Sequence, residues 1–181
     1  MRKLILLACL VAVSAVVVGA ARGAQPDVGT LSVEGGTGHF MLDVRGAVLG
    51  RLTNGSITVT DRSPNDPYEA TITGRRVVAQ RRLGPARVFV RGQGLRFRML
   101  GGSYRIVIHG SGVALSVVGR GVVSLDGEPR ATGDDVGVYS LDGVDCSLEP
   151  VSCVPISDDP ARLKLEVATE VEPTRSGADT R

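Results

Sequence analysis

The chain has few aromatic residues, few histidines and few cysteines, and each shortage argues against a class of protein. Aromatic residues make up 3% of the 181 positions and tryptophan is absent. A hydrophobic core therefore has to be built from valine, leucine and isoleucine, which favours strands. The same shortage argues against a nucleic-acid platform on which bases stack. With two histidines and three cysteines, the chain has little material for a metal centre, and we expect no metal and no cofactor.

Sequence motifs of known catalytic centres are also absent. The chain contains no G-x-S-x-G, no H-E-x-x-H, no P-loop and no dinucleotide-binding fingerprint, which favours a non-enzymatic role. His39 and His109 are expected on the outer faces of strands, facing solvent. The alternative function is a secreted hydrolase in which His109 acts with a carboxylate such as Asp43, with Ser111 or Ser116 nearby.

The N-terminal residues have the pattern of a secretory signal peptide. Arg2 and Lys3 precede an apolar run at 4–18, and small residues follow it. We assign 1–23 to the signal peptide and expect a secreted or extracytoplasmic protein associated with the cell envelope, without a stable membrane span after cleavage. The alternative is an uncleaved N-terminal membrane anchor, since the apolar run is nearly long enough to span a bilayer.

Two cysteines remain outside the signal peptide, Cys146 and Cys153. Two cysteines in an exported chain predict one disulfide bond. Because the bond would close a small loop, we expect its contribution to the free energy of unfolding to lie toward the low end of the range usual for disulfide bonds.

Glycine is abundant, with 24 residues, and it marks two stretches that resemble each other. Residues 35–61 (GGTGHFMLDVRGAVLGRLTNGSITVTD) align with 101–127 (GGSYRIVIHGSGVALSVVGRGVVSLDG) at an offset of 66 positions. Four glycines and a leucine coincide, and apolar residues face apolar residues in most columns. This predicts an internal duplication of a β-rich unit.

Within these stretches apolar and polar residues alternate, as in half-buried strands. Gly35-Gly36, Asn54-Gly55 and Gly101-Gly102 predict hairpin turns, because their glycines take positive φ without steric cost. Residues 75–83 are left open between a helical turn and an irregular loop.

We predict a single all-β domain over 31–168. It is an antiparallel sandwich or a partly closed barrel, built from two duplicated halves at about 31–96 and 97–168. A short β-solenoid is the alternative. The polar tail, 169–181, is expected to be disordered.

Charge is distributed unevenly along the chain. Residues 62–105 contain ten arginines and two acidic residues, whereas 126–181 contain thirteen acidic and five basic residues. The basic stretch predicts a surface for an anionic cell-wall polymer or acidic glycan. The alternative is that the acidic C-terminal half covers the basic middle. The candidate ligand-binding residues are Arg75, Arg76, Arg81, Arg82, Arg96, Arg98 and Arg105.

The run LRFRMLGGSYRI at 95–106, followed by Gly110-Ser111-Gly112 and Gly119-Arg120-Gly121, resembles uncharacterised exported proteins of high-GC Gram-positive bacteria. The resemblance covers about residues 31–145. It implies export and a β fold, and it assigns no activity and no site residue.

Overall fold

The computed structural model describes residues 28–129, 131, 136–141 and 143–166. A short 3-10 helix, Pro150–Ser152, is the only helical element in these ranges, so the prediction of an all-β fold is confirmed. The predicted signal peptide and C-terminal tail lie outside the described residues. The six strands are β1 (Gly29–Asp61), β2 (Thr71–Gly84), β3 (Arg87–Gly127), β4 (Val138–Ser140), β5 (Val154–Pro155) and β6 (Ala161–Leu165).

Strands β1 and β3 pair antiparallel as a long ribbon that coils on itself. Most β1 residues between 38 and 61 have two partners in β3, one on each side. The two partners of His39, for example, are His109 and Asp126, which lie 17 positions apart. The two partners are far apart in sequence because, after one turn of the coil, a second segment of β3 pairs with the other side of β1. The remaining strands extend the coiled ribbon at its edges.

The register divides the strand segments into two layers. In the first layer the order is 161–165, 121–127, 38–45, 103–111, 54–61, 87–93 and 76–84. In the second layer the order is 154–155, 138–140, 29–34, 113–119, 46–52, 95–100 and 71–74. The two long strands pass repeatedly from one layer to the other.

One hydrophobic core contains buried side chains from both layers. Alternate residues of the long strands are buried: Phe40, Leu42 and Ile106 come from the first layer, and Val48 and Leu95 from the second. The alternation follows from the pleat, which directs successive side chains to opposite faces. Two layers around one core correspond to a β-sandwich.

The barrel and solenoid alternatives do not describe this sheet. In the described chain, the hydrogen-bonded order runs from β2 to β5 and does not close. All the strand pairs are antiparallel, whereas the rungs of a parallel β-helix are not. The predicted boundary between two halves, at residues 96 and 97, falls inside β3.

The hairpin turns predicted at Gly35-Gly36 and Asn54-Gly55 are wrong, because β1 runs through both positions. Gly101-Gly102 likewise lies inside β3. Each of these glycine sites lies where the chain crosses from one layer to the other. Gly55 has a φ of 144°, so the positive φ serves a crossing rather than a chain reversal.

A tight hairpin joins β2 to β3. Pro85 and Ala86 separate Gly84 from its partner Arg87, and the carbonyl of Ala86 accepts a hydrogen bond from the N–H of Asp61 at 2.8 Å. The segment at 75–83 is part of strand β2, so both alternatives that the sequence left open there, a helical turn and an irregular loop, are wrong.

Tyr104 connects the loop at 62–70 to the core through a hydrogen bond. Its side chain is fully buried, and its hydroxyl donates a hydrogen bond to the carbonyl oxygen of Tyr68 at 3.1 Å. Burial, and after it the charges of Asp61 and Asp66, raises the pKa of Tyr104 to about 12. The phenol therefore stays a neutral donor over the physiological pH range.

The predicted disulfide bond is present between Cys146 and Cys153. Cys146 is fully buried, and its N–H donates a hydrogen bond to Oγ of Ser32 at 3.1 Å. The cysteine loop is thereby attached to β1, which brings the C-terminal segment against the edge of the second layer.

Replacement of both cysteines with alanine is expected to lower the free energy of unfolding by about 2 kcal/mol, because the bond closes a short loop and restricts the unfolded chain. Urea denaturation of the variant and of the parent chain measures the difference. The parent chain treated with reductant should reproduce the variant's midpoint. A variant that unfolds at the same urea concentration as the oxidised parent would contradict the expectation.

Candidate anion-binding edge

Strand β2 and residues 87–100 of β3 form a strongly basic hairpin at one edge of the sandwich. We call residues 71–100 the basic hairpin. It contains no acidic residue and no lysine. All of its arginine side chains are exposed. These eight residues are Arg75, Arg76, Arg81, Arg82, Arg87, Arg91, Arg96 and Arg98.

None of these eight arginines forms an ion pair with another described residue. The ion pairs of the described chain lie elsewhere, for example between Arg51 and Glu34 at 2.8 Å. Arginine binds carboxylate and phosphate groups through a planar fork of N–H donors. The basic hairpin therefore presents donors that no described carboxylate of the chain occupies.

Arg105 differs from the other predicted site residues. Its guanidinium lies 3.2 Å from Oδ2 of Asp43, and Arg62 contacts the same oxygen at 2.8 Å. One carboxylate thus binds two arginines on the outer face of the first layer. We therefore exclude Arg105 from the candidate site, while the six other predicted arginines lie together on the basic hairpin.

Sequence reasoning left Arg87 and Arg91 out of the candidate set. Arg87 and Arg91 alternate with Val88 and Val90, and Val90 is buried. This period of two places both arginines on the outer face of the first layer. The alternation was visible in the sequence and could have found them.

The arginines do not converge on one face but surround one edge. Arg96 and Arg98 lie opposite Thr73 and Thr71, with their side chains on the outer face of the second layer. Arg91 lies opposite Ala79 in the first layer. The arginines of β2 lie on the edge strand of the sheet. Among the described strands, β2 pairs with β3 alone.

The margin of the basic hairpin also carries apolar side chains. Val77, Val78 and Leu83 of β2 are 44%, 70% and 51% exposed. A free strand edge invites pairing with other chains, and charged side chains on such an edge oppose it. The arginines of β2 thus have a structural effect of their own, independent of any ligand.

An open groove of about 730 Å³ lies beside the basic hairpin. Arg51, Arg75 and Arg96 line it, together with Glu34. A second groove of about 480 Å³ shares Glu34, Arg51 and Arg96 and continues along the outer face of the second layer toward Asp145. The two grooves are therefore contiguous, with an arginine-lined end at the basic hairpin.

The described strands of the acidic C-terminal half lie at the other edge of the sandwich. Strands β4 and β5 follow 29–34 in the second layer, and β6 follows 121–127 in the first. Strand β2 closes the opposite end of both layers. In the part of the chain that the structure describes, the acidic half therefore does not cover the basic hairpin.

The two histidines, which the sequence separates by 70 positions, meet in the structure. His39 and His109 are directly opposite each other on neighbouring segments of the first layer. Their ring centroids are 5.0 Å apart and the ring planes meet at 88°. Both lie on the outer face, as the sequence predicts, but their pairing was not anticipated.

The residues of the alternative hydrolase are not brought together. Asp43 lies opposite Arg105 rather than His109 and is bound by two arginines. Ser116 lies in the second layer, in the groove that contains Arg96, whereas His109 lies in the first layer. Ser111 pairs with Asn54 and has no described contact with His109.

The described residues contain no group of three or more histidine, cysteine or acidic side chains arranged to hold a metal ion. They also contain no helix that is long and apolar enough to cross a membrane.

Comparison of the chain with protein-family models, with curated proteins and with solved structures finds no match.

Proposed function

We propose that this protein is an exported, non-enzymatic module of the cell envelope that binds a linear anionic polymer through the basic hairpin. The observation that carries the proposal is the set of eight exposed arginines, none paired with a described carboxylate, on a hairpin that contains no acidic residue. A surface of one sign concentrates and orients ligands of the opposite sign.

Export is supported by two independent features. The first is the signal-peptide pattern at 1–23. The second is the disulfide bond between Cys146 and Cys153, since such bonds persist in oxidising compartments. The partner is therefore an extracytoplasmic anion, and an acidic glycan or a polyol-phosphate polymer of the cell wall has the required charge.

The spacing of the arginines favours a polymer over a single small anion. Residues 75 and 82 delimit the arginines of β2, and at the rise of a strand they are roughly 23 Å apart. Charges distributed over that length match a chain of repeating phosphates or carboxylates. A nucleic acid is a poorer match, because the hairpin offers few exposed aromatic rings for base stacking.

Binding of the full chain to a purified wall polymer at increasing salt concentration tests this proposal. If about four arginines contact the polymer, counterion release predicts that the affinity falls on the order of 100-fold between 50 and 200 mM salt. A neutral glycan of the same length is the control and should not bind. Affinity that does not change with salt, or equal binding to the neutral glycan, would overturn the proposal.

We propose further that the two glycine-rich stretches derive from one duplicated unit. The two stretches share four glycines and a leucine at an offset of 66 positions. Gly55 and Gly121, which this offset relates, have φ values of 144° and 151°. Other related glycines differ in φ, for example Gly46 at 145° and Gly112 at 59°, so the proposal is supported mainly by the sequence.

A further inference from the structure

His39 and His109 form a pair of neighbouring imidazoles on the outer face of the first layer. They are the only histidines in the chain, they occupy directly opposite positions in the ladder, and their ring centroids are 5.0 Å apart. The side chain of His109 is exposed and that of His39 is half-buried. Solvent therefore reaches the pair, while the two backbones hold it in register.

This separation suits a metal ion shared by the two rings. Imidazole nitrogens bind zinc at about 2.0–2.1 Å, which puts each ring centre roughly 3.2 Å from the ion and the two centres roughly 4.5–5.5 Å apart at ordinary coordination angles. The observed distance of 5.0 Å lies in that range. The rings meet edge to face at 88°, so metal binding requires side-chain rotation that brings one nitrogen of each ring toward the ion.

The neighbours of the pair in the same row of the ladder are polar. Asp126 lies opposite His39 on the side away from His109, and Ser56 lies opposite His109 on its other side. In the described residues Asp126 does not form a group of three metal-binding side chains with the two histidines, so it acts through its charge and not as a ligand. Asp126 contributes a negative charge to a face on which Asp43 is already neutralised by two arginines.

We propose that His39 and His109 together bind one divalent transition-metal ion, with water completing its coordination. The ligand set favours copper(II) over nickel(II) and zinc(II), since imidazole suits all three and copper forms the most stable complexes. Two protein ligands make an open, exchangeable surface site rather than a closed structural one. The site is separate from the basic hairpin and does not depend on the proposed polymer binding.

Nuclear magnetic resonance of the imidazole nitrogens tests the site, with the full chain free of any polyhistidine tag and zinc(II) as the probe. Because the chain has two histidines, every imidazole signal comes from this pair. Both rings are expected to shift with one midpoint, at one zinc ion per chain. A shift of one ring alone, or one ion per two chains, would overturn the proposal.

Calorimetry with zinc(II) and copper(II) provides the second test. His39→Gln and His109→Gln are each expected to weaken binding at least tenfold, and the double variant is expected to lose it. Ser56→Ala is the matched control on the same row and should bind as the parent chain does. Unchanged affinity in either single histidine variant, with thermal unfolding also unchanged, would show that the pair is not the ligand.

Discussion

Replacement of the four arginines of β2 with glutamine is expected to weaken binding to the anionic polymer by about 100-fold or more at 100 mM salt. The slope of log affinity against log salt concentration should fall by about three to four, because each lost phosphate or carboxylate contact releases roughly one counterion fewer. The four positions are Arg75, Arg76, Arg81 and Arg82.

The replacement should leave the fold intact. All four side chains are exposed and none forms an ion pair with a described residue, so each replacement is expected to change the free energy of unfolding by less than about 0.5 kcal/mol. Because arginines also protect a free strand edge, sedimentation has to compare the oligomeric states of variant and parent, and the loss of binding is attributed to charge only where the two agree. Lysine at the same positions keeps the charge and should keep the salt-dependent binding.

A pair of double variants separates position from net charge. Arg81→Gln with Arg82→Gln removes two positive charges from the basic hairpin, and Arg162→Gln with Lys164→Gln removes two from β6 at the opposite edge. The first variant should bind about tenfold or more weakly, whereas the second should differ from the parent by less than about threefold. Equal losses would mean that only the net charge matters, and the assignment of the site to this edge would be wrong.

Gly55→Ala is expected to destabilise the protein by about 3–5 kcal/mol or to prevent folding. Gly55 has a φ of 144°, which alanine rarely adopts. A Cβ atom there would also overlap the carbonyl oxygen of His109 and the Cα atom of Gly110. Both atoms belong to the backbone of the neighbouring segment, so the clash is relieved only by separating paired strands.

Gly84→Ala is the control for the backbone conformation alone. Its φ is 158°, and a Cβ atom would have no other atom within 4 Å. The cost should therefore be limited to the backbone, about 1 kcal/mol. Urea denaturation followed by circular dichroism measures both variants. If the Gly55→Ala protein were as stable as the Gly84→Ala protein, the close contact of Gly55 with the neighbouring backbone would be contradicted.

The alternation of residues identified the strands, because burial on one face leaves a period of two in the sequence. Phe40 and Leu42 follow this period and lie in the core. The disulfide bond followed from the cysteine count. The sequence could not distinguish a hairpin turn from a crossing between layers at these glycines, because a glycine with positive φ suits both. The hairpins at Gly35-Gly36 and Asn54-Gly55 were wrong for that reason.

The candidate site was predictable in part. Six of its eight arginines came from the local excess of charge, which is a property of the sequence alone. The pairing of Arg105 with Asp43 joins positions 62 apart, and the meeting of His39 with His109 depends on the same long ladder. Register between distant strands is set by the packed core and the crossings, so no local pattern reveals it.

The coiled ribbon also determines when the protein can fold. Strand β1 pairs with β3 and β4 among the described strands, so its 33 residues gain no partner until the chain beyond residue 87 is present. Contacts between segments so far apart in sequence form late and slowly. The first half of the described chain therefore has no strand partner until β3 is available, and formation of the sandwich depends on the pairing of β1 with β3.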